Sequence, residues 1–215
     1  MNYKKIYAYR FKEVSREKKI TAWTVISSFV YRKMNQPVKI LEPGAGQCEF
    51  INSVPSAEKW AVDMDDSILN YAGKNVKTII GKVLDVDLPK EYFDGIFVSN
   101  FLEHLDNQLQ VAEFLEKMNQ LMKKGGVVVV LGPNFKYCYK NYFDFADHNV
   151  ILTELSVCEH LFGAGFEIVE CRPKFLPISF RSRFPVSSFL IKMYLQMPFF
   201  WNFFGKQFLI VAKKT

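Results

Sequence analysis

Residues 39–50 read KILEPGAGQCEF. Pro37 and the apolar Val38, Ile40 and Leu41 make a short buried strand, and Gly44-Ala45-Gly46 break it before CEFINSV begins a helix. A strand, a glycine turn and a helix form a ligand-binding corner, because missing Cβ atoms let a ligand approach the backbone closely. Glu42, directly before the turn, narrows the choice of ligand, since a phosphate has little use for a carboxylate there. The dinucleotide pattern G-x-G-x-x-G would also need glycine at position 49, where Glu49 stands. A ligand with a cationic end and a ribose fits better than NAD.

Further apolar runs follow at intervals suited to strand-helix alternation. KWAVDM (59–64), VKTIIGKVL (76–84), FDGIFVSN (93–100) and GGVVVVLGP (125–133) read as the second to fifth strands, the last nearly pure valine, as a central parallel strand requires. Leu109, Ala112, Leu115, Met118 and Met122 keep helical spacing, and Gly125-Gly126 are expected to stop that helix. TAWTVISSFVYRKM (21–34) reads as a helix packed on the sheet. Thr153 is expected to cap ELSVCEHLFGAG, with Glu154 and Glu159 toward solvent and Gly163 or Gly165 at its end. FEIVECR (166–172) and KQFLIVAKK (206–214) complete the strands. The expected fold is α/β: a doubly wound, Rossmann-like sheet of seven strands, five parallel and then a C-terminal hairpin-like pair, with helices on both faces. Residues 1–215 are read as one domain, with an N-terminal helical extension at 1–36 and an insertion at 174–205.

A chain of 215 residues, 49% of them hydrophobic, can bury one substantial core. Cys48, Cys138, Cys158 and Cys171 are widely spaced and the three histidines lack metal-ligand spacing, so neither a zinc site nor a disulfide framework is expected. No apolar signal core or spanning segment is evident, which points to the cytoplasm. The net charge of +6 is uneven: residues 1–39 hold ten Lys/Arg against two acids, residues 40–170 ten against twenty, and residues 171–215 eight against none. An acid-free basic end suggests an anionic partner or a membrane surface.

Three acids fall at the ends of successive strands. Glu42 can serve a positive group or orient the loop, Asp63 can accept both hydroxyls of a ribose, and Asp85 can accept from an adenine amino group. ILEPGAGQCEF, AVDMDDSIL, FDGIFVSNFLEHL and LMKKGGVVVVLGPN, in this order across 38–134, resemble the successive motifs of class I S-adenosylmethionine-dependent methyltransferases. The resemblance implies S-adenosyl-L-methionine as cofactor, with Gly44, Ala45 and Gly46 facing its methionine part, Asp63 and Met64 at the ribose, Asp85 with the backbone of Val83 and Leu84 at the adenine, and Asn100 on the cofactor side of the fourth strand. Lys82 departs from the acidic residue common after this glycine and softens the adenine assignment. The C-terminal half is similar to a bacterial, methyltransferase-11/12-like branch whose substrates are largely unassigned and which often accompanies polysaccharide or lipid-linked sugar synthesis.

Methyl transfer from a sulfonium needs alignment and a dry pocket more than a base, but a hydroxyl acceptor benefits from one. His104, oriented by Glu103, is the first candidate, because imidazole suits proton transfer near neutral pH. Asp147 and His148 form a second acid-imidazole pair, and Tyr142, Phe143 and Phe145 beside them are expected to wall the acceptor. LEH also resembles metal-assisted O-methyltransferases, in which a further glutamate precedes by three residues; Asn100 stands there, so no metal is expected. Ten aromatic residues in 174–205, with Lys174, Arg181, Arg183 and Lys192 and no carboxylate, suggest a lid or docking surface for a lipid- or glycan-linked acceptor and a peripheral membrane contact, against the plainer reading that these aromatics complete the core. Two alternatives stay open: a nucleic-acid methyltransferase, though no N/D-P-P-Y motif is present and no nucleic acid is expected, and a non-catalytic scaffold of the same fold.

Overall fold

The computed structural model describes residues 5, 6, 9, 10, 12, 15–177 and 187–215. In chain order the described elements are α1 (Arg16–Lys33), β1 (Lys39–Pro43), α2 (Glu49–Ser53), β2 (Glu58–Asp63), β3 (Val76–Ile80), β4 (Phe93–Ser99), α3 (Gln108–Leu121), β5 (Met122–Pro133), α4 (Phe135–Cys138), α5 (Glu154–Gly163), β6 (Phe166–Arg172), α6 (Ser188–Gln196), α7 (Pro198–Phe204) and β7 (Gln207–Lys214). The seven strands form one sheet in the order β3-β2-β1-β4-β5-β7-β6. The first five run parallel, and β7 lies antiparallel between β5 and β6. All seven strands expected from the sequence are present, and their order is that of a doubly wound α/β sheet.

The valine run of β5 shows why this sheet needs cover on both sides. Side chains alternate across a strand. Val128 and Val130 therefore join one core with Phe114, Leu115 and Met118 of α3 and Val157 and Leu161 of α5. Val127, Val129 and Leu131 join the opposite core with Ala22, Ile26 and Val30 of α1, Phe50 of α2 and Trp201 of α7. Each large aliphatic side chain so buried contributes about 1.5–3 kcal/mol.

Several boundaries differ from the sequence reading, each for a local reason. α1 begins at Arg16, five residues before the apolar pattern, because Ser15 caps it and Arg, Glu and Lys are good helix formers on a solvent face. α3 ends at Leu121, ahead of Gly125-Gly126, which lie inside β5. There Met122 pairs with Phe93 and Val127 with Gly95, so residues 123–126 bulge opposite Asp94, whose carboxylate holds Lys123 Nζ at 2.6 Å. β3 stops at Ile80, leaving Val83, Leu84 and Asp85 in a turn in which the Asp85 N–H donates to the Lys82 carbonyl at 2.9 Å. Thr153 caps α5 in a reciprocal pair with Ser156. Glu154, expected in solvent, is buried, because it accepts from Lys136 Nζ and Asn134 Nδ2, both at 2.6 Å, while Glu159 is exposed as expected.

Within 174–205 the two readings divide the segment. Phe175, Leu195 and Trp201 are buried, and the Tyr194 hydroxyl donates to the Phe175 carbonyl at 2.5 Å. Phe189, Phe199, Phe203 and Phe204 are more than half exposed. Arg181 and Arg183 lie outside the described residues.

Candidate active site

The glycine corner is built by backbone bonds between neighbouring strands. Beyond β1, the N–H groups of Gly44 and Ala45 both donate to the Val62 carbonyl, at 2.8 and 3.1 Å, which folds the turn across the end of β2. Gly44 and Gly46 both have positive φ, +65° and +51°, a region that side chains with a Cβ enter at a cost of about 1–2 kcal/mol. At Gly44 a Cβ would also come within 2.3 Å of the Phe101 ring. Asp63 closes the corner: Oδ2 accepts from the Gly46 N–H at 2.8 Å and Oδ1 from the Asp65 N–H at 2.9 Å. A carboxylate has about four acceptor positions. Asp63 therefore keeps capacity for a pair of hydroxyls beside the turn it holds.

Glu42 is buried beneath the turn and accepts the Ile51 N–H at 3.0 Å, which joins the end of β1 to α2. Burial, reinforced by the charges of Glu49 and Asp63, pushes its carboxyl well above the ordinary range. Burial also raises Asp63, against the pull of its backbone donors. Lys19 of α1 reaches this corner, 2.6 Å from Glu49 and 3.1 Å from Gln47 Oε1.

The other residues expected near a cofactor line the adjacent strand ends. Met64 is exposed beside Asp63, Val83 is buried, and Asp85 is exposed. Lys117 Nζ donates to the Leu84 and Val86 carbonyls at 2.8 and 2.7 Å, pinning the turn that carries Asp85. Asn100 follows β4 with φ +48°, and its side-chain amide donates to Ser99 Oγ at 3.1 Å. Phe101 comes next and packs on Phe114, with ring centres 4.9 Å apart, while it faces Gly44. Sequence reasoning passed over Phe101, although an aromatic residue directly after a strand-end asparagine was a readable signal.

One turn further on, the two acid-imidazole pairs merge into a single cluster. The carbonyl of Glu103 accepts from the Asn149 and Val150 N–H groups at 2.8 and 3.2 Å, which pulls the turn Leu102–His104 against residues 145–150. The pairing then differs from the sequence reading. His104 Nδ1 lies 2.9 Å from the Asp147 carbonyl and 3.4 Å from its carboxylate, whereas Glu103 Oε1 is 3.9 Å from His104 Nε2. Asp147, and not Glu103, orients His104. The His104 and His148 rings meet edge to face at 5.1 Å.

Arg10 completes the cluster from 137 residues away: its guanidinium holds both carboxylate oxygens of Asp147 and lies over the Phe145 ring at 4.9 Å. Burial pushes the Asp147 carboxyl up, but the Arg10 bonds and the charges of His104 and Arg10 outweigh it and hold the group below the usual carboxylate range. Burial raises Glu103. His148 is pushed down to about 4, first by burial and then by the charge of His104. Phe145 stacks on His148 at 4.8 Å. Tyr142, expected as an acceptor wall, is wholly buried with its hydroxyl donated to the Val150 carbonyl, so it supports His148 from beneath. Phe143 is exposed. His160 pairs with Gln108 Oε1 at 2.8 Å.

Residues 41–130 match the family model described as "Methyltransferase domain". That match, together with a fold shared with solved S-adenosylmethionine-dependent methyltransferases, supports a methyltransferase domain with S-adenosyl-L-methionine as cofactor. An S-adenosylmethionine-dependent methyltransferase from Archaeoglobus fulgidus shares the fold with a TM-score of 0.68 at 20% identity, covering 99% of this chain and 100% of that one. Another from Thermotoga maritima gives 0.66 at 18% identity over 98% and 99%. A geranyl diphosphate C-methyltransferase from Streptomyces coelicolor A3(2), in complex with geranyl diphosphate and S-adenosyl-L-homocysteine, gives 0.66 at 11% identity over 88% and 78%. No curated protein sequence matches the chain. Among the described residues, no helix is long and apolar enough to cross a membrane.

Proposed function

We propose that the protein methylates an oxygen or nitrogen of a small sugar- or lipid-linked acceptor, with the cofactor at the glycine corner and the acceptor at the His104 cluster. The observation that carries this reading is the placement of an oriented imidazole only one turn beyond Asn100 and Phe101, at the C-terminal ends of parallel strands. Bound S-adenosyl-L-methionine supplies an electrophilic methyl group. What remains for the chain is to align the acceptor, exclude water and take a proton. With Nδ1–H donated to the Asp147 carbonyl, His104 carries its lone pair on Nε2, the nitrogen free to accept. Asp147 fixes the ring and Arg10 fixes Asp147. Glu103 and the neutral His148 pack against the same imidazole as a polar floor.

Glu42, Gly44, Ala45, Gly46, Asp63 and Met64 are assigned to the methionine and ribose, Val83, Leu84 and Asp85 to the adenine, and Asn100 to the strand-end side. A lipid-linked acceptor is favoured by the exposed Phe189, Phe199 and Phe203 in a stretch, 171–215, that has eight basic residues and no acid. That one similar structure holds geranyl diphosphate is consistent with it. Arg181 and Arg183 are assigned to the anionic part of the acceptor, and the protein to the cytoplasm with peripheral membrane contact.

Two measurements test the reading. Purified protein should bind S-adenosyl-L-homocysteine in the micromolar range and transfer label from S-adenosylmethionine into the lipid or glycan fraction of a cell extract; transfer into nucleic acid alone would overturn the acceptor class, and cofactor binding without any transfer would favour a scaffold. Phe199→Ser with Phe203→Ser should leave the melting temperature unchanged and weaken association with anionic vesicles. Association equal to the parent's removes the membrane contact.

A further inference from the structure

We propose that Glu103, His104 and His148 form a binding site for a divalent transition-metal cation of the zinc or cobalt kind. Each offers a donor atom, and these three atoms lie within 4.8 Å of one another. Three points so spaced sit within about 2.8 Å of a common centre, and zinc holds nitrogen and oxygen donors at about 2.0–2.2 Å, so sub-ångström side-chain shifts close the site. Two of the three are short of partners: Glu103 Oε2 and His148 Nδ1 are buried, and among the described residues neither has a hydrogen-bond partner. A buried polar atom left without a partner costs about 1–3 kcal/mol, and one cation would satisfy both.

The surroundings fit a metal centre as well. The Asp147 carbonyl at His104 Nδ1 fixes the tautomer that presents Nε2, as the outer partners of metal-bound imidazoles do. Glu103 and Asp147 bring two carboxylates against the single guanidinium of Arg10, so with neutral imidazoles the pocket favours a cation. Two imidazoles among three donors select zinc, cobalt or a neighbouring ion over magnesium or calcium. Three protein donors also leave coordination positions for water or an acceptor oxygen, as catalytic sites do.

The expectation of no metal rested on the spacing of the histidines and on Asn100, whose amide is turned to Ser99. The third donor comes instead from beyond β5, at a spacing no local pattern displays. With an ion bound, the His104 lone pair serves the metal, and ionising an acceptor hydroxyl falls to the ion. The base role given to His104 then belongs to the metal-free protein. The proposal stands on the cluster and is independent of the acceptor reading.

The full chain, stripped by chelator, would be titrated with Co²⁺ while S-adenosyl-L-homocysteine binding is measured on the same samples. The expected result is one Co²⁺ per chain with ligand-field absorption, no thiolate charge-transfer band, and displacement by Zn²⁺. His148→Ala and Glu103→Gln should each weaken Co²⁺ by about 10-fold or more. Both should keep homocysteine-cofactor binding, which separates loss of this site from failure of the methyltransferase reading. His160→Ala should change nothing. Absence of Co²⁺ binding, unchanged binding in both variants, or a thiolate band that places the ion at the hydrogen-bonded Cys158 and Cys171 would overturn the proposal. Should the variants unfold, pulsed EPR of the Cu²⁺-loaded parent decides: two coupled imidazoles uphold the site and none refutes it.

Discussion

The glycine corner and the His104 cluster sit one turn apart yet are held by opposite means. The corner is held by backbone donors within 42–65: the Gly44 and Ala45 N–H groups bond the Val62 carbonyl, and those of Gly46, Asp65 and Ile51 bond the carboxylates of Asp63 and Glu42. The cluster is made of side chains from segments far apart in sequence, with Arg10 and His104 both meeting Asp147. A site carried by backbone tolerates change in its surroundings and is unforgiving at its glycines. One carried by side chains can be taken apart a residue at a time.

The strongest way to break that contrast is to remove one group from each side. His104→Ala should lower turnover by about 10²–10⁴-fold, the usual contribution of a positioned acid or base, and leave S-adenosyl-L-homocysteine affinity within about twofold. Asp63→Ala should do the reverse, weakening the cofactor analogue by about 10–100-fold, since hydrogen bonds to a charged group are worth about 1.5–3 kcal/mol. Isothermal titration and single-turnover rates on both variants read the crossing. If either variant loses affinity and turnover alike, the two regions are one unit and the division is wrong.

This difference also explains what could be read from the sequence. The corner was legible because its parts are local: the glycines, Glu42 before them and Asp63 at the next strand end are near neighbours in the chain, and the valine run fixed the sheet beside them. The cluster was legible only as residue types. Glu103 beside His104 and Asp147 beside His148 looked like two pairs, but adjacent residues on a turn point apart, and the tertiary bond from the Asn149 N–H to the Glu103 carbonyl accompanies the approach of Asp147 to His104. Arg10 left no signal, being 137 residues from its partner within a basic block that could equally have been a solvated face. Glu154 shows the same limit: its position in the first turn of a helix says solvent, and only Lys136 and Asn134 make its burial tenable.

A smaller effect sharpens the role of that distant arginine. Arg10→Ala leaves the Asp147 carboxylate buried without its guanidinium, which should lower stability at neutral pH by about 2–4 kcal/mol, allowing for a partly buried pair. Turnover should fall by about 10-fold as His104 loses its fixed orientation, with cofactor affinity unchanged. The sign with pH follows from the depressed Asp147 carboxyl: its stabilising share is present above the ordinary carboxylate value and vanishes as pH falls below it. The gap between parent and variant should therefore close in acid. A gap that persists at low pH would mean that Arg10 acts by packing on Phe145.

The smallest expected change lies in the corner and has the opposite sign. Among the described residues the Glu42 carboxylate accepts from the Ile51 N–H, and the nearby charge of Lys19 opposes the shift only weakly. Because burial raises its carboxyl, the folded state holds that proton more tightly than the unfolded chain. Folding is therefore penalised progressively as pH rises through the interval between the ordinary value and the raised one. Glu42→Gln keeps an oxygen for Ile51 and removes the charge, so the free protein should become more stable at neutral pH. If the relief is about 1 kcal/mol, the melting temperature rises by about 2–4 °C in a chain of this size. Below the ordinary carboxylate range both proteins are neutral at this position and the two should melt together. Cofactor affinity should fall if the Glu42 charge serves the cationic end of the ligand, giving a variant that is sturdier and binds worse, the trade expected where a site is kept strained for its ligand. Melting curves across pH, with and without S-adenosyl-L-homocysteine, measure both halves. A variant less stable at every pH would show that the Glu42 charge is part of what holds the corner together.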